Sequence, residues 1–224
     1  MDKEILMTTN LEASINELKT SFQNISSLVI DNVKLASETL IKQEKQDINT
    51  VKENDNEIDK KEILLEETCI QIIAMHQPKG QTLRFIIAML KVNNDLERIS
   101  DLAVNMAKSV KTLSEYKEEN LFFLHEMITK VLAMLEGSIQ ALLDLNTKQA
   151  IRICALDEEV DTLKHKQRKE ILEIINKKPK ITEYLLDIII NGRRLERIAD
   201  LCTNIAEDII YIKEGEIIRH RKWD

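Results

Sequence analysis

Acidic residues four apart occur twice in each half of this chain, as Asp55-x-x-x-Asp59 and Glu97-x-x-x-Asp101, then Asp157-x-x-x-Asp161 and Glu196-x-x-x-Asp200. On a helix such residues share a face, and two unpaired carboxylates there repel by about 0.2–0.5 kcal/mol per pair. Lys and Arg are missing from the neighbouring four-step positions of the rows Asn93–Asn105 and Gly192–Asp208, so a cation from elsewhere is expected to offset the repulsion. Arg98 and Arg197 directly follow the two Glu residues, point elsewhere on the helix and are expected to brace a different helix. Four carboxylates converging from two helices would suit hard or borderline divalent cations, among them Mg, Ca, Mn, Fe(II) and Zn, and carboxylates can bridge two metals. The alternative is that the rows are solvated acidic edges.

Two better-known metal patterns do not fit. Asp55-x-Glu57-x-Asp59 with Glu66 loosely mimics an EF-hand loop, but Lys60 stands where that loop needs Gly, and the second copy has Arg168 at its last position. No Glu-x-x-His motif of di-iron bundles is present, and His76, His125, His165 and His220 lie outside the acidic rows. With only 4 Gly and no Walker, dinucleotide or Ser-His-Asp arrangement, the chain reads as a non-enzyme. A carboxylate-held metal acting on phosphate compounds and a metal-free helical scaffold are the competing readings.

The elements that position these acids are long helices. Of 224 residues, 43% are hydrophobic and only 4% aromatic, with 2 Pro, a composition that favours helices over sheets. Leu11, Ile15, Leu18, Phe22, Ile25, Val29, Val33, Ala36 and Leu40 step by three and four, as a first amphipathic helix would. A polar stretch from Gln43 to Asn56 follows, with a connection expected near Asn49 or Asn54. Further helices are expected from Asp55 to Met75, Thr82 to Leu113, Glu119 through Leu121 to Leu142, Lys148 to Ile175 and Thr182 to Ile212. Pro78 and Pro179 mark matching turns.

The register shows a duplication. Asp55 to Asp157 and Asp59 to Asp161 are each 102 residues, whereas Glu97 to Glu196 and Asp101 to Asp200 are each 99. The expected fold is all-α, with six long helices in two tandem pseudo-repeated three-helix bundles, 1–114 and 115–224.

A net charge of −7 disfavours nucleic acid as a partner, and the basic Arg219-His-Arg-Lys222 reads as a solvated tail. Cys69, Cys154 and Cys202 sit among apolar helical residues, as reduced core thiols do. The N-terminus lacks a signal-peptide stretch, and no apolar run reaches membrane-spanning length, so a cytoplasmic protein is expected.

The strings Asn94-Asp-Leu-Glu-Arg-Ile-Ser-Asp-Leu-Ala and Leu195-Glu-Arg-Ile-Ala-Asp-Leu-Cys resemble the signature of the PhoU family of phosphate-transport regulators. Asp55-x-x-Glu-Ile-Asp59, Asp157-x-Glu-Glu-Val-Asp161, the turn His76-Gln-Pro-Lys79 and the ending Glu214-Gly-Glu-Ile-Ile-Arg-His220 resemble its other motifs. The sequence departs from them at Thr82, around Lys177-Lys-Pro-Lys180 and at Arg194, which takes the place of the acid at Asp95.

The resemblance implies multinuclear divalent metal clusters, with iron or zinc as the first candidates and magnesium or manganese next. Asp55, Asp59, Glu97 and Asp101 would hold one, and Asp157, Asp161, Glu196 and Asp200 the other. It further implies a homodimeric negative regulator of phosphate uptake and phosphate-starvation signalling. Such a protein would contact a phosphate-specific ABC transporter and a sensor histidine kinase, and would reach the membrane only through them.

Overall fold

The computed structural model describes residues 2–116 and 120–216. Six long helices follow one another: α1 (Asp2–Lys42), α2 (Ile48–His76), α3 (Gly80–Leu113), α4 (Leu124–Asp144), α5 (Thr147–Ile175) and α6 (Thr182–Glu214). A single 3-10 turn, Pro179–Ile181, leads into α6, and no strand occurs among the described residues. The helices α1–α3 pack on one another, as do α4–α6, and the two sets join along α3 and α6, with α1 also touching α4.

The apolar steps read from the sequence become the core. Leu18, Phe22, Ile25, Val29, Val33, Ala36 and Leu40 are all fully buried along α1. Each of these side chains other than Ala36 contributes about 1.5–3 kcal/mol of burial. α3 and α6 are central and bury residues on more than one face, including Ile99, Ala103 and Met106 in α3 and Ile198, Cys202 and Ile205 in α6. All three cysteines are buried and unpaired, and burial pushes their thiols up to about 12, so they behave as small core residues. Among the described residues no helix is long and apolar enough to cross a membrane.

Two boundaries differ from the sequence expectation. α2 starts at Ile48 rather than near Asp55, because Ile48, Val51 and Ile58 already face the core and the chain breaks earlier, at Gln43 (φ 52°). α4 starts at Leu124. Phe122 (φ 41°) and Phe123 (φ 65°) are left-handed, a conformation a right-handed helix cannot continue, so Leu121 lies before the helix. The expected start at Glu119 and the basic tail 219–222, with His220, lie outside the described residues. The turn at His76 follows expectation: Gln77 is left-handed, its N–H closes on the Ile73 carbonyl at 3.0 Å, and Pro78 cannot extend the helix.

The α3–α6 seam carries polar links. Lys91 Nζ meets Asp208 Oδ1 at 2.7 Å, Asn191 Nδ2 donates to Ser109 Oγ at 2.9 Å, and Arg84 Nε donates to the Ile212 carbonyl at 3.1 Å.

Two helical glycines should answer substitution in opposite ways. A Cβ at Gly192 would overlap the carboxamide of Gln167, a buried side chain whose Nε2 donates to the Phe122 carbonyl at 2.9 Å. Displacing it would forfeit about 1–3 kcal/mol, more than the roughly 1 kcal/mol of helix propensity that alanine brings. At Gly137 a Cβ meets its nearest atoms, in Gln149 and Ile153, at an ordinary 3.6 Å. In urea unfolding, Gly192→Ala is expected to lower stability by about 1 kcal/mol and Gly137→Ala to raise it by about 0.5–1 kcal/mol.

Candidate functional site

The antiparallel run of α2 and α3 brings Asp55 beside Asp101 and Asp59 beside Glu97. Burial pushes the Asp55 carboxyl up; the Ser100 hydrogen bond opposes this, repulsion from Asp59 and Asp101 adds to it, and Lys108 opposes it. Glu97 is likewise raised, first by burial and then by Asp101, Asp59 and Glu62. Asp59 and Asp101 stand at the solvent side of their helices.

A chain of hydrogen bonds holds Asp55 from below. Ser100 Oγ donates to Asp55 Oδ1 at 2.6 Å, Asn32 Nδ2 donates to Ser100 Oγ at 3.2 Å, and Asn54 Nδ2 donates to Asn32 Oδ1 at 3.2 Å. Asn32 and Ser100 are fully buried, so α1 takes part in orienting this carboxylate although it supplies no acid.

A fifth acid borders the cluster. Glu62, one turn after Asp59, accepts from Asn93 Nδ2 at 3.0 Å, and its carboxyl is raised by burial and by Glu66 and Asp59. Asn93 is fully buried, and its Oδ1 has no hydrogen-bond partner.

The second cluster is built on α5 and α6 by the same register. Asp157 is pushed up to about 6, first by burial, then by Asp200, Asp161 and Glu196, with Lys164 opposing. Asp200 is raised too, by lost hydration and then by Glu196 and Asp161. Here the offsetting cation belongs to the protein. Lys164 Nζ lies 2.7 Å from Asp161 Oδ1 and 2.8 Å from Glu196 Oε1, clamping α5 to α6. Burial works against its charge, but the two carboxylates outweigh it and raise its pKa. The repulsion inferred from the acidic rows is therefore partly met from within the fold, by a residue outside those rows.

The structure thus places all eight acids singled out in the sequence on facing helices, four on each helix pair, within electrostatic reach of one another. It leaves other row members elsewhere. Asp208 pairs with Lys91 across the α3–α6 seam. Arg98, expected to brace another helix, instead approaches Asp95 at 3.8 Å on its own. His76 meets Ser14 at 3.4 Å, and the His165 ring contacts the Asp161 carbonyl rather than the carboxylates. Sequence reasoning missed Lys164, Glu62, Ser100 and Asn32. Lys164 and Glu62 each sit three residues after an acid of the pair, a spacing that could have pointed to them; Ser100 and Asn32 carried no signal.

Metal fit separates the two clusters. Among the described residues no group of three or more His, Cys, Asp or Glu side chains is placed to hold a metal ion. The acids stand as rows, and a bound cation would have to draw them inward. In the first cluster the donor chemistry suits this: oxygen donors only, a hydrogen-bonded Asp55 and an orphaned buried amide oxygen at Asn93. In the second, an ammonium already spans two of the four acids.

A family model described as the PhoU domain matches residues 22–110 and again 124–209. The chain belongs to the PhoU family. It is 32% identical over 209 residues to the phosphate-specific transport system accessory protein PhoU homolog 1 of Thermotoga maritima, covering 92% of this chain and 90% of that one. It is 30% identical over 220 residues to the PhoU homolog of Streptococcus pneumoniae, covering 95% and 99%. Among solved structures it resembles PhoU from Pseudomonas aeruginosa, with a TM-score of 0.88, 28% identity and coverage of 92% and 99%. The S. pneumoniae phosphate transport system regulatory protein PhoU superposes with a TM-score of 0.85 at 28% identity, covering 93% and 99%. The two matched segments carry the two acidic clusters, so the duplicated register coincides with the two PhoU-domain matches.

Proposed function

We propose that this protein is a cytoplasmic accessory regulator of phosphate transport that restrains phosphate uptake and the phosphate-starvation response. The observation that carries this reading is the end-to-end match, in sequence and in fold, to proteins named for the phosphate-specific transport system. In this reading the chain is a non-enzymatic adaptor of two units, 1–114 and 115–224, and works as a homodimer. Its helical faces dock on a phosphate ABC transporter and a sensor histidine kinase, and it meets the membrane only through them. Asp55, Asp59, Glu97 and Asp101 form a divalent-cation site that stiffens the α2–α3 pair, with iron, zinc, magnesium or manganese as candidate ions.

The reading is tested by deleting the gene in its host. Phosphate uptake and phosphate-responsive transcription should rise in phosphate-replete medium and return to normal when the intact gene is restored. Unchanged uptake and transcription would count against it.

A further inference from the structure

The two acidic clusters are alike in their carboxylates and unlike in the groups that hydrogen-bond to them. In the repeat register of 102 residues Lys164 stands where the first unit has Glu62, and Met134 where it has Asn32. In the register of 99 residues Ala199 replaces Ser100 and Gly192 replaces Asn93. These four groups of the first cluster are thus apolar, absent or reversed in charge at the second, whereas Arg98 and Asn105 are kept as Arg197 and Asn204.

Lys164 has the geometry of a resident counter-ion. Its Nζ reaches Asp161 on its own helix and Glu196 on α6 at 2.7 and 2.8 Å, with about one fifth of the side chain exposed. Asp157 and Asp200 face the same group of carboxylates. An ammonium supplies three donors and one positive charge, enough to bridge two helices. A divalent ion among the same oxygens would stand at contact range of that like charge.

We propose that Lys164 is the built-in cation of the second acidic cluster, making the α5–α6 pair complete without metal, so that divalent-cation binding in this chain belongs to the first cluster alone. The assignment of divalent-cation binding to the first cluster rests on the cation-site reading above, whereas the role of Lys164 rests only on the geometry of the second.

The test is made in full-length protein carrying Glu97→Gln and Asp101→Asn, which disables the first cluster in every sample. The protein is stripped with chelator and melted with and without millimolar Mn²⁺. With Lys164 intact, Mn²⁺ should leave the melting temperature unchanged. Adding Lys164→Met should lower the metal-free melting temperature by about 5 °C, and Mn²⁺ should then restore at least that much. Lys164→Arg should keep the parent pattern, because guanidinium can bridge the same carboxylates. If Lys164→Met does not fold without metal, Lys164→Gln carries the same comparison, and folding on Mn²⁺ addition counts as restoration.

Two results would overturn the proposal: Mn²⁺ stabilising the protein equally with Lys164 present, or Lys164→Met melting like its parent with no response to Mn²⁺. Either would leave the first cluster untouched, since that site is judged separately by comparing Mn²⁺ binding of the parent with that of Glu97→Gln/Asp101→Asn.

Discussion

A chain carrying Glu97→Gln and Asp101→Asn is expected to lose at least about 100-fold of its affinity for a divalent cation. Loss of a mere orienting partner typically costs 10–100-fold, and here two charged donors go at once. The substitutions keep shape and an oxygen at each position, so the fold should survive. Without metal the sign reverses. Glu97 is repelled by Asp101 and Asp59 and held up by burial, and Asp101 also repels Asp55. Neutralising them should therefore raise metal-free stability by a few tenths of a kcal/mol. Calorimetric titration with Mn²⁺ and paired thermal melts in chelator and in Mn²⁺ read both effects. Equal affinity in variant and parent would remove these residues from the ligand set.

The second large effect is at Asp95, whose carboxyl is pushed up to about 6 by burial, with Asp208 adding repulsion and Arg98 and Lys91 opposing. Its ordinary value in an unfolded chain is about 3.9. The folded seam therefore binds the proton more tightly than the unfolded chain does. The stability this confers is full below about pH 4, is lost as pH rises through 6, and stays lost above about 7. The gap between the folded and unfolded carboxyl is worth about 3 kcal/mol at most. Asp95→Asn keeps the group neutral at every pH. It gives up a 3.8 Å approach to an Arg98 side chain that is 60% exposed and a longer-range attraction to Lys91, together about 1 kcal/mol or less. The variant should match the parent at pH 4 and exceed it by about 1–3 kcal/mol at pH 8 in urea unfolding. A difference of the same size at both pH values would refute the assignment.

Arg194, at the matching position of the second unit, shows why this seam is asymmetric. It donates to Asn191 Oδ1 at 2.9 Å and lies near Asp187, so the acid of one repeat is answered by a base in the other. That exchange was visible in the sequence as a departure from the repeat, but its setting was not, because Asp95 meets Asp208 from α6, more than a hundred residues away.

Local pattern carried far in this chain because helices are local structures. The three-and-four spacing of α1, the Gln77-Pro78 stop and the Asn146 cap, whose Oδ1 accepts from Gln149 N at 3.2 Å, are set by neighbours within a turn or two. It failed where a local cue was overridden. Ile48 and Val51 lie in a polar-looking stretch, yet two core contacts outweigh its many charges and start α2 early. Phe122 and Phe123 read as helix, but the turn that carries α3 into α4 holds them left-handed.

By itself the sequence determined the all-α class, the duplication and the eight carboxylates, since each follows from spacing along one helix or from comparing the chain with itself. Only the tertiary structure decided what surrounds those carboxylates. Lys164 reaches Glu196 across the α5–α6 pair, and Asn32 reaches Ser100 from α1. The physical reason is that a charge is answered by whatever stands within a few ångströms in space, and in a helical bundle most of those neighbours come from another helix.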